Sequence, residues 1–208
     1  NLDASLDRLR ELGRRAAGRE AAAPDFSAHD ALARRAAAAS MVLLKNDGML
    51  PLKSDQLTTL AVIGPNANSR AALVGNYHGT SSRYVTVLEG LQDALAGKAR
   101  VLYSEGCHLF KDRVEHLGQP DDRLSEAVAV AERADAVVLV VGLDETLEGE
   151  EGDTGNAAAS GDKLDLLLPE CQRRLMDAVL AVGRPTVIVL MAGSAIDLGE
   201  AAERADAV

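Results

Sequence analysis

Aromatic residues and cysteines are scarce in this chain of 208 residues. Aromatic side chains make up 2% of it, and tryptophan is absent. Sugar-binding and base-stacking sites normally use several aromatic rings, so most of any such site would have to lie outside this chain. Cys107 and Cys171 form no CxxC pair, and two thiols are too few for a disulfide framework. We therefore expect both cysteines to be buried or unused thiols.

Long apolar runs and an excess of positive charge are also missing. No apolar run approaches about 18 residues, the length of a membrane-spanning helix. The first residues, NLDASLDRLRELGRR, lack both the apolar core of a signal peptide and a starting methionine. The net charge of −10 argues against nucleic acid or an anionic membrane as a partner, because like charges repel. With 47% hydrophobic and 26% charged residues, the chain should be globular.

Four apolar runs predict the strands of one sheet. They are LTTLAVIG (57–64), ARVLYSEG (99–106), DAVVLVVG (135–142) and PTVIVLMAG (185–193). These runs are continuous rather than alternating, which indicates strands that are buried on both faces. The sequence therefore predicts an α/β fold, a mostly parallel sheet between two layers of helices.

Capping signals mark where several helices begin. Ser27 with Asp30 and Thr86 with Glu89 have the spacing of capping boxes, and Pro169 suits a first helical position. Helical patterns cover residues 3–17, 28–40, 87–97, 121–134 and 170–183, and MVLLKN (41–46) predicts a short strand. Right-handed crossovers would place the carboxyl ends of all parallel strands at one edge of the sheet, where sites collect.

The segment GLDETLEGEEGDTGN (142–156) holds six acids and no base directly after a predicted strand. A solvated loop is one explanation, and a calcium loop is another. Asp144, Glu148 and Gly149 match positions 1, 5 and 6 of an EF-hand. However, Thr146 and Gly155 occupy positions 3 and 12, so the essential bidentate glutamate is missing. The third explanation is a general acid, because like-charged neighbours raise the pKa of a carboxyl group.

Other motifs for chemistry are weak. GPNANSR follows a strand but fits neither dinucleotide-binding nor P-loop patterns. Ser194 lacks a GxSxG context, and the adjacent Cys107 and His108 would point apart on an extended segment. The spacing of Cys107, His108 and His116 matches no common zinc site. The sequence thus predicts neither a cofactor nor a metal.

AERADAV occurs twice, at 131–137 and at 202–208. The first copy is the end of a predicted helix that runs into a strand. The second copy ends where the corresponding strand should begin. We therefore expect the domain to continue beyond Val208.

Seven motifs, in their order along the chain, resemble glycoside hydrolase family 3. They are AAAASMVLLKNDGMLPLK, LAVIGPNANSR, GNYHGTSSRYVTVLEGL, VLYSEGC, ADAVVLVVGLDETLEGEEGD, LDLLLPECQRRLMDAV and VIVLMAG. They are similar to the second domain of that family, an α/β sandwich that follows a TIM-like barrel, in its bacterial β-xylosidase and β-glucosidase group. The resemblance covers residues 27–208, and residues 1–26 look like the last barrel helix and a linker.

The resemblance implies a retaining mechanism on a small glycoside or oligosaccharide. An aspartate of the barrel would be the nucleophile, and a glutamate of this domain would be the acid/base. Glu150, which follows Gly149, is the predicted acid/base, and Glu148 is the alternative. Glu151 and Asp153 would be neighbours that tune the local charge or hold the loop. A barrel needs about 250 residues, so it lies outside this chain, and we expect the chain alone to be inactive.

The segment YHGTSSR (77–83) matches a part of the family that faces the substrate. His78, Ser81 and Arg83 are therefore candidate substrate-binding residues, and the alternative is that they stabilise only the loop or the interface between domains. Lys45 and Asn46, in the family motif LLKN, should be structural. A non-catalytic carbohydrate-binding or assembly module with the same sheet is the alternative function.

Overall fold

The computed structural model describes residues 2–17, 23–113, 118–149 and 163–208. Contacts divide the chain into two units, Asn1–Val42 and Leu43–Val208. The first unit holds helices α1 (Leu2–Ala16) and α2 (Phe26–Ser40), neither of which has a buried residue. By contacts the division falls after α2, whereas the sequence places a boundary after residue 26. The assignment of residues 1–26 to a barrel and linker stays a prediction.

Among its described residues, the second unit holds four strands and four α-helices, besides a short 3-10 helix at Ala71–Leu73. The strands are β1 (Thr59–Ile63), β2 (Arg100–Ser104), β3 (Ala136–Gly142) and β4 (Thr186–Met191). The helices are α3 (Val87–Leu95), α4 (Leu124–Glu132), α5 (Glu170–Ala181) and α6 (Glu200–Arg204). All pairings between the strands are parallel, in the order β2-β1-β3-β4. The predicted α/β fold with a parallel sheet is confirmed.

Helices cover both faces of this sheet. Ala61 and Ile63 of β1 contribute to one apolar cluster, together with residues of α4, α5 and α6. Leu60 and Val62 contribute to a second cluster with residues of α3. All seven residues of β3 are buried. Since successive side chains of a strand point to opposite faces, burial on both faces explains the continuous apolar runs.

The predicted capping box of α3 is present. The Thr86 hydroxyl accepts the Glu89 N–H at 3.2 Å, and the Glu89 carboxylate accepts the Thr86 N–H at 2.8 Å. The predicted caps of the other helices are shifted. Asp25, not Ser27, caps α2 by accepting the Ala28 N–H, because it offers the same acceptor two residues earlier. Pro169 lies one position before the first residue of α5.

The predicted strand at residues 41–46 is wrong. This segment is not a strand: it pairs with residues 207 and 208 through an antiparallel bridge between Asn46 and Ala207 and through backbone hydrogen bonds of Leu44 and Lys45 with Val208. Lys45 donates through Nζ to the carbonyls of Glu203 and Ala205, both at 2.6 Å. The Asn46 side chain bonds the turn that follows, including the carbonyl of Leu50. Both polar residues therefore have structural contacts, as expected. In the part of the chain that the structure describes, no helix is long and apolar enough to cross a membrane.

The repeated AERADAV sequence has a structural basis in its aspartate. Asp135 accepts the N–H groups of Thr58 (2.7 Å) and Thr59 (2.9 Å) through its carboxylate. In the second copy, Asp206 accepts the N–H of Thr186 at 2.8 Å. Each aspartate thus binds the chain at the start of a neighbouring strand. Directly after Asp206, Ala207 forms a parallel bridge with Val187 of β4, so the second copy also leads into the sheet.

We expect Asp135→Asn to lower the thermal unfolding midpoint at pH 7. Hydrogen bonds from the backbone of Thr59 and Thr58 lower the pKa of Asp135. Its folded pKa is therefore below the unfolded value of about 3.9, so the carboxylate stabilises the fold above that pH. This stabilisation is lost as the pH falls through the folded pKa. The unfolding midpoint of the variant should therefore fall less over that pH range than the midpoint of the wild type. Thermal unfolding across the acid range measures this, with the exposed Asp55→Asn as control. Equal midpoints for the two variants would contradict the expectation.

Candidate functional site

The carboxyl ends of β1, β3 and β4 open onto a cavity of about 960 Å³. Residues 72–76 line it after β1, residues 143–145 with Glu148 after β3, and residues 190–195 at the end of β4. The chain passes from β1 outward to β2 and then returns to β3 on the other side of β1. The cavity thus lies where the strand order reverses, which is the usual ligand position in sheets of this kind.

Glycines lie at the carboxyl ends of two of these strands. Gly64 follows β1 with φ +127°, and Gly142 ends β3 with φ +150°. A Cβ on Gly64 would overlap the carbonyl of Val140, and one on Gly142 would overlap the carbonyl of Met191. Only glycine fits such close approaches of backbone to backbone. The neighbouring strands therefore stay close together up to the point where their loops diverge.

The end of β3 is held by a buried amide of α5. Gln172 accepts the Gly142 N–H at 2.9 Å and donates to the Gly142 carbonyl at 2.7 Å and to the Leu109 carbonyl at 2.6 Å. Gln172 is fully buried, and its amide satisfies both backbone groups of Gly142. Sequence reasoning missed this residue. The available signal was its place on the apolar face of α5, at helical spacing from Leu175 and Met176.

The acidic segment begins as a fixed turn. Asn66, which is buried, donates to the Leu143 carbonyl at 3.1 Å. One oxygen of the Asp144 carboxylate accepts the N–H of Thr146 at 2.9 Å and its hydroxyl at 2.6 Å. The Asp144 carbonyl accepts the N–H groups of Leu147 and Glu148, both at 3.0 Å. Up to residue 149, therefore, the segment is tied to the end of β3 and folded on itself.

Glu148 connects this turn with the loops after the two other strands. Its carboxylate accepts the Gly193 N–H at 2.8 Å and the Ser194 N–H at 2.9 Å, beyond the end of β4. Its carbonyl accepts a hydrogen bond from the Asn76 side chain, in the loop after β1, at 3.0 Å. Three loops thus meet at one residue. Glu150, the predicted acid/base, lies outside the described residues, as do Glu151 and Asp153.

The three candidate substrate-binding residues are exposed and lie outside the described lining of the cavity. His78 reaches the acidic segment, with its Nε2 3.5 Å from the Glu145 carboxylate. The Ser81 hydroxyl donates to the Arg83 carbonyl at 2.7 Å. The Arg83 guanidinium faces Asp93 of α3 at 3.9 Å. The structure thus brings His78 to the acidic segment, whereas the contacts of Ser81 and Arg83 are within their own loop and with α3.

The two cysteines meet at a separate place in the fold. Both thiols are free and buried, as predicted. A hydrogen bond to Cys171 and burial raise the pKa of Cys107, and Cys171 donates to the His108 carbonyl at 3.1 Å. His116 lies outside the described residues. Among the residues whose positions are given, no group of three histidine, cysteine, aspartate or glutamate side chains is placed to hold a metal ion.

A parallel sheet between two helical layers, with its polar loops gathered where the strand order reverses, defines a doubly wound α/β domain. Comparison with known protein families identifies the family of this domain. Residues 41–208 match the family described as glycosyl hydrolase family 3 C-terminal domain. The chain belongs to glycoside hydrolase family 3, which confirms the resemblance read from its motifs.

Several relatives show the extent of this similarity. The chain is 40% identical to beta-D-xylosidase 3 of Arabidopsis thaliana over 169 residues, which is 80% of this chain and 19% of the relative. It is 35% identical to the periplasmic beta-glucosidase of Salmonella typhimurium over 196 residues, 86% of this chain and 24% of the relative. The structure of the family 3 beta-glucosidase of Bifidobacterium adolescentis matches with a TM-score of 0.72 and 33% identity, over 93% of this chain and 26% of that one. The chain thus spans about a fifth to a quarter of the length of these proteins.

We expect Gln172→Leu to lower the free energy of unfolding by about 3 kcal/mol, because it leaves both backbone groups of Gly142 buried without a partner. Urea unfolding measures this change. The control is Gln56→Leu at an exposed position, which should change stability by no more than about 0.5 kcal/mol. Similar losses in the two variants would show that the Gln172 amide does not stabilise the end of β3.

Proposed function

We propose that this chain is the second domain of a retaining β-glycosidase that hydrolyses terminal β-xylosides or β-glucosides. In this proposal it supplies the acid/base glutamate to a barrel domain outside the chain. The observation that supports it most is that the described part of the acidic segment, residues 142–149, is bound at the carboxyl edge of the sheet in a domain of this family. The names of the relatives, beta-D-xylosidase and beta-glucosidase, support the substrate class.

The chemistry needs one carboxyl group from each domain. A nucleophilic aspartate of the barrel attacks the anomeric carbon, while the glutamate of this domain protonates the leaving oxygen. The same glutamate then activates the water that releases the sugar. In retaining enzymes the two carboxyl groups are about 5–5.5 Å apart. The acidic segment therefore has to reach the barrel, and its place at an open edge of the sheet suits that task.

Glu150 is our choice for the acid/base, and Glu148 is the alternative. A general acid needs an oxygen that can face the leaving group. Both carboxylate oxygens of Glu148 already accept backbone N–H groups, from Gly193 and Ser194, and this favours the other glutamate. Glu151 and Asp153 then act as charged neighbours that help the acid to hold its proton.

His78, Ser81 and Arg83 are proposed contacts for sugar hydroxyl groups. All three are exposed, and they offer a ring nitrogen, a hydroxyl and a guanidinium. His78 is the best placed, because it lies beside Glu145 of the acidic segment. The bonds of Ser81 and Arg83 within the loop support the second possibility, that these two residues hold the loop in shape.

The chain of 208 residues alone should not hydrolyse aryl β-xylosides or aryl β-glucosides, because the nucleophile belongs to the barrel. Release of the aryl group measures this, with the longer protein that contains this chain as the positive control. Robust turnover by the chain alone would contradict the two-domain mechanism. If the longer protein also lacked activity, a non-catalytic carbohydrate-binding or assembly module would be the better description.

In the longer protein, Glu150→Gly should reduce hydrolysis of substrates with poor leaving groups by about 10²–10⁴-fold, the usual contribution of a general acid. Activated aryl glycosides should lose much less, because their leaving groups need little protonation. Azide should restore part of the activity and give a glycosyl azide. Glu148→Gly is the matched comparison. If this pattern appeared in Glu148→Gly and not in Glu150→Gly, the acid/base would be Glu148.

A further inference from the structure

We infer that Glu148 is a positioning residue, which fixes the acidic segment to the loops after β4 and β1 and so sets where the acid/base can act. This inference rests on the proposed function and deepens it. It follows from the hydrogen bonds that Glu148 makes, all of them with described residues.

The carboxylate of Glu148 is bound at both oxygens. Gly193 donates to Oε2 and Ser194 donates to Oε1, at 2.8 and 2.9 Å. Consecutive backbone N–H groups that point the same way make a natural site for an anion. Hydrogen bonds to an ionised acceptor are about twice as strong as neutral ones. The carboxylate therefore acts here as a bidentate link between two loops.

Gly193 lies directly against the carboxylate of Glu148. A Cβ at residue 193 would lie 3.4 Å from Oε2 of Glu148, which is an ordinary packing distance. The bond from the Gly193 N–H therefore rests on the path of the backbone, and an alanine would fit at this position. The glycine and the glutamate, 45 residues apart in sequence, form one structural unit.

The rest of the segment is held from other directions. Asn76 donates to the Glu148 carbonyl, Asn66 donates to the Leu143 carbonyl, and Gln172 binds both backbone groups of Gly142. The turn is thus fixed at its first residue and again at Glu148. Two residues of chain span at most about 7 Å, so the position of Glu148 limits where the proposed acid/base Glu150 can be placed.

Glutamine cannot replace Glu148 in this arrangement. Its amide has one oxygen for two N–H donors, and its NH₂ group would face one of them. In the longer protein we expect Glu148→Gln to lower kcat at least tenfold with little change in KM. Both limbs of the pH–rate profile should remain, because the acid/base itself is intact. Azide should neither raise the rate nor give a glycosyl azide.

Two further variants complete this experiment. Asn76→Ala removes the bond to the Glu148 carbonyl and should give a smaller loss of kcat with the same pH profile. Glu132→Gln makes the same charge change on an exposed residue that precedes β3, at the opposite edge of the sheet, and should leave kcat unchanged. Loss of the basic limb in Glu148→Gln, with formation of glycosyl azide, would overturn the inference and identify Glu148 as the acid/base. An unchanged kcat would overturn it as well.

Amide hydrogen exchange separates this inference from the proposed function, because it needs no catalysis. In the 208-residue chain, Glu148→Gln should speed exchange at Gly193 and Ser194 at least tenfold, while a far-UV circular dichroism spectrum like that of the wild type shows that the variant folds. Exchange that is unchanged at both amides would overturn the anchoring role. If the longer wild-type protein hydrolyses neither class of glycoside, the proposed function fails, and the exchange result alone decides whether Glu148 anchors the segment.

Discussion

Burial of strand β3 on both faces is the constraint on which the arrangement of the site depends. Each of its seven residues is covered, and it pairs with β1 on one side and β4 on the other. A strand in this position brings its polar backbone into the interior, where unpaired groups are costly. The ladders satisfy these groups along the strand, but at its carboxyl end the pairing stops. Gln172 and Asn66 provide partners at that point, and the acidic segment starts from a well-defined place.

The position of the acidic segment at the end of β3 also explains part of its charge. Like charges in a short stretch repel one another, which alone would favour an extended and solvated chain. In the described part of the segment, two acids accept specific hydrogen bonds, Asp144 within its own turn and Glu148 from the loop after β4. These bonds offset the repulsion and keep the first part of the segment folded. Some of the acidic residues thus have a structural role, so the charge of the whole segment does not have to be explained by catalysis.

The sequence predicts well those features whose partners are close together in the chain. The Thr86–Glu89 capping box was predicted with both partners, and continuous Val/Ile/Leu runs correctly indicated the four strands. The strand predicted at 41–46 is wrong, because its pairing with residues 206–208 amounts to one bridge and a few backbone hydrogen bonds, and an apolar run becomes a strand only when such pairing continues along it. The bonds that build the site join distant residues, 30 apart for Gln172 and Gly142 and 45 apart for Glu148 and Gly193. No local pattern encodes such pairs, so the acidic segment was found from sequence but its anchors were not.

The repeated aspartates have a consequence for how the sheet is assembled. Parallel strands are joined by long crossovers, so no tight turn fixes which residue of one strand faces which residue of the next. A slip by one residue would exchange the two faces of a strand and turn one apolar cluster towards the wrong helices. Asp135 and Asp206 each bond the beginning of a neighbouring strand, at Thr59 and at Thr186. They therefore help to fix the register between adjacent strands, so that the apolar side chains of each face meet the correct helices.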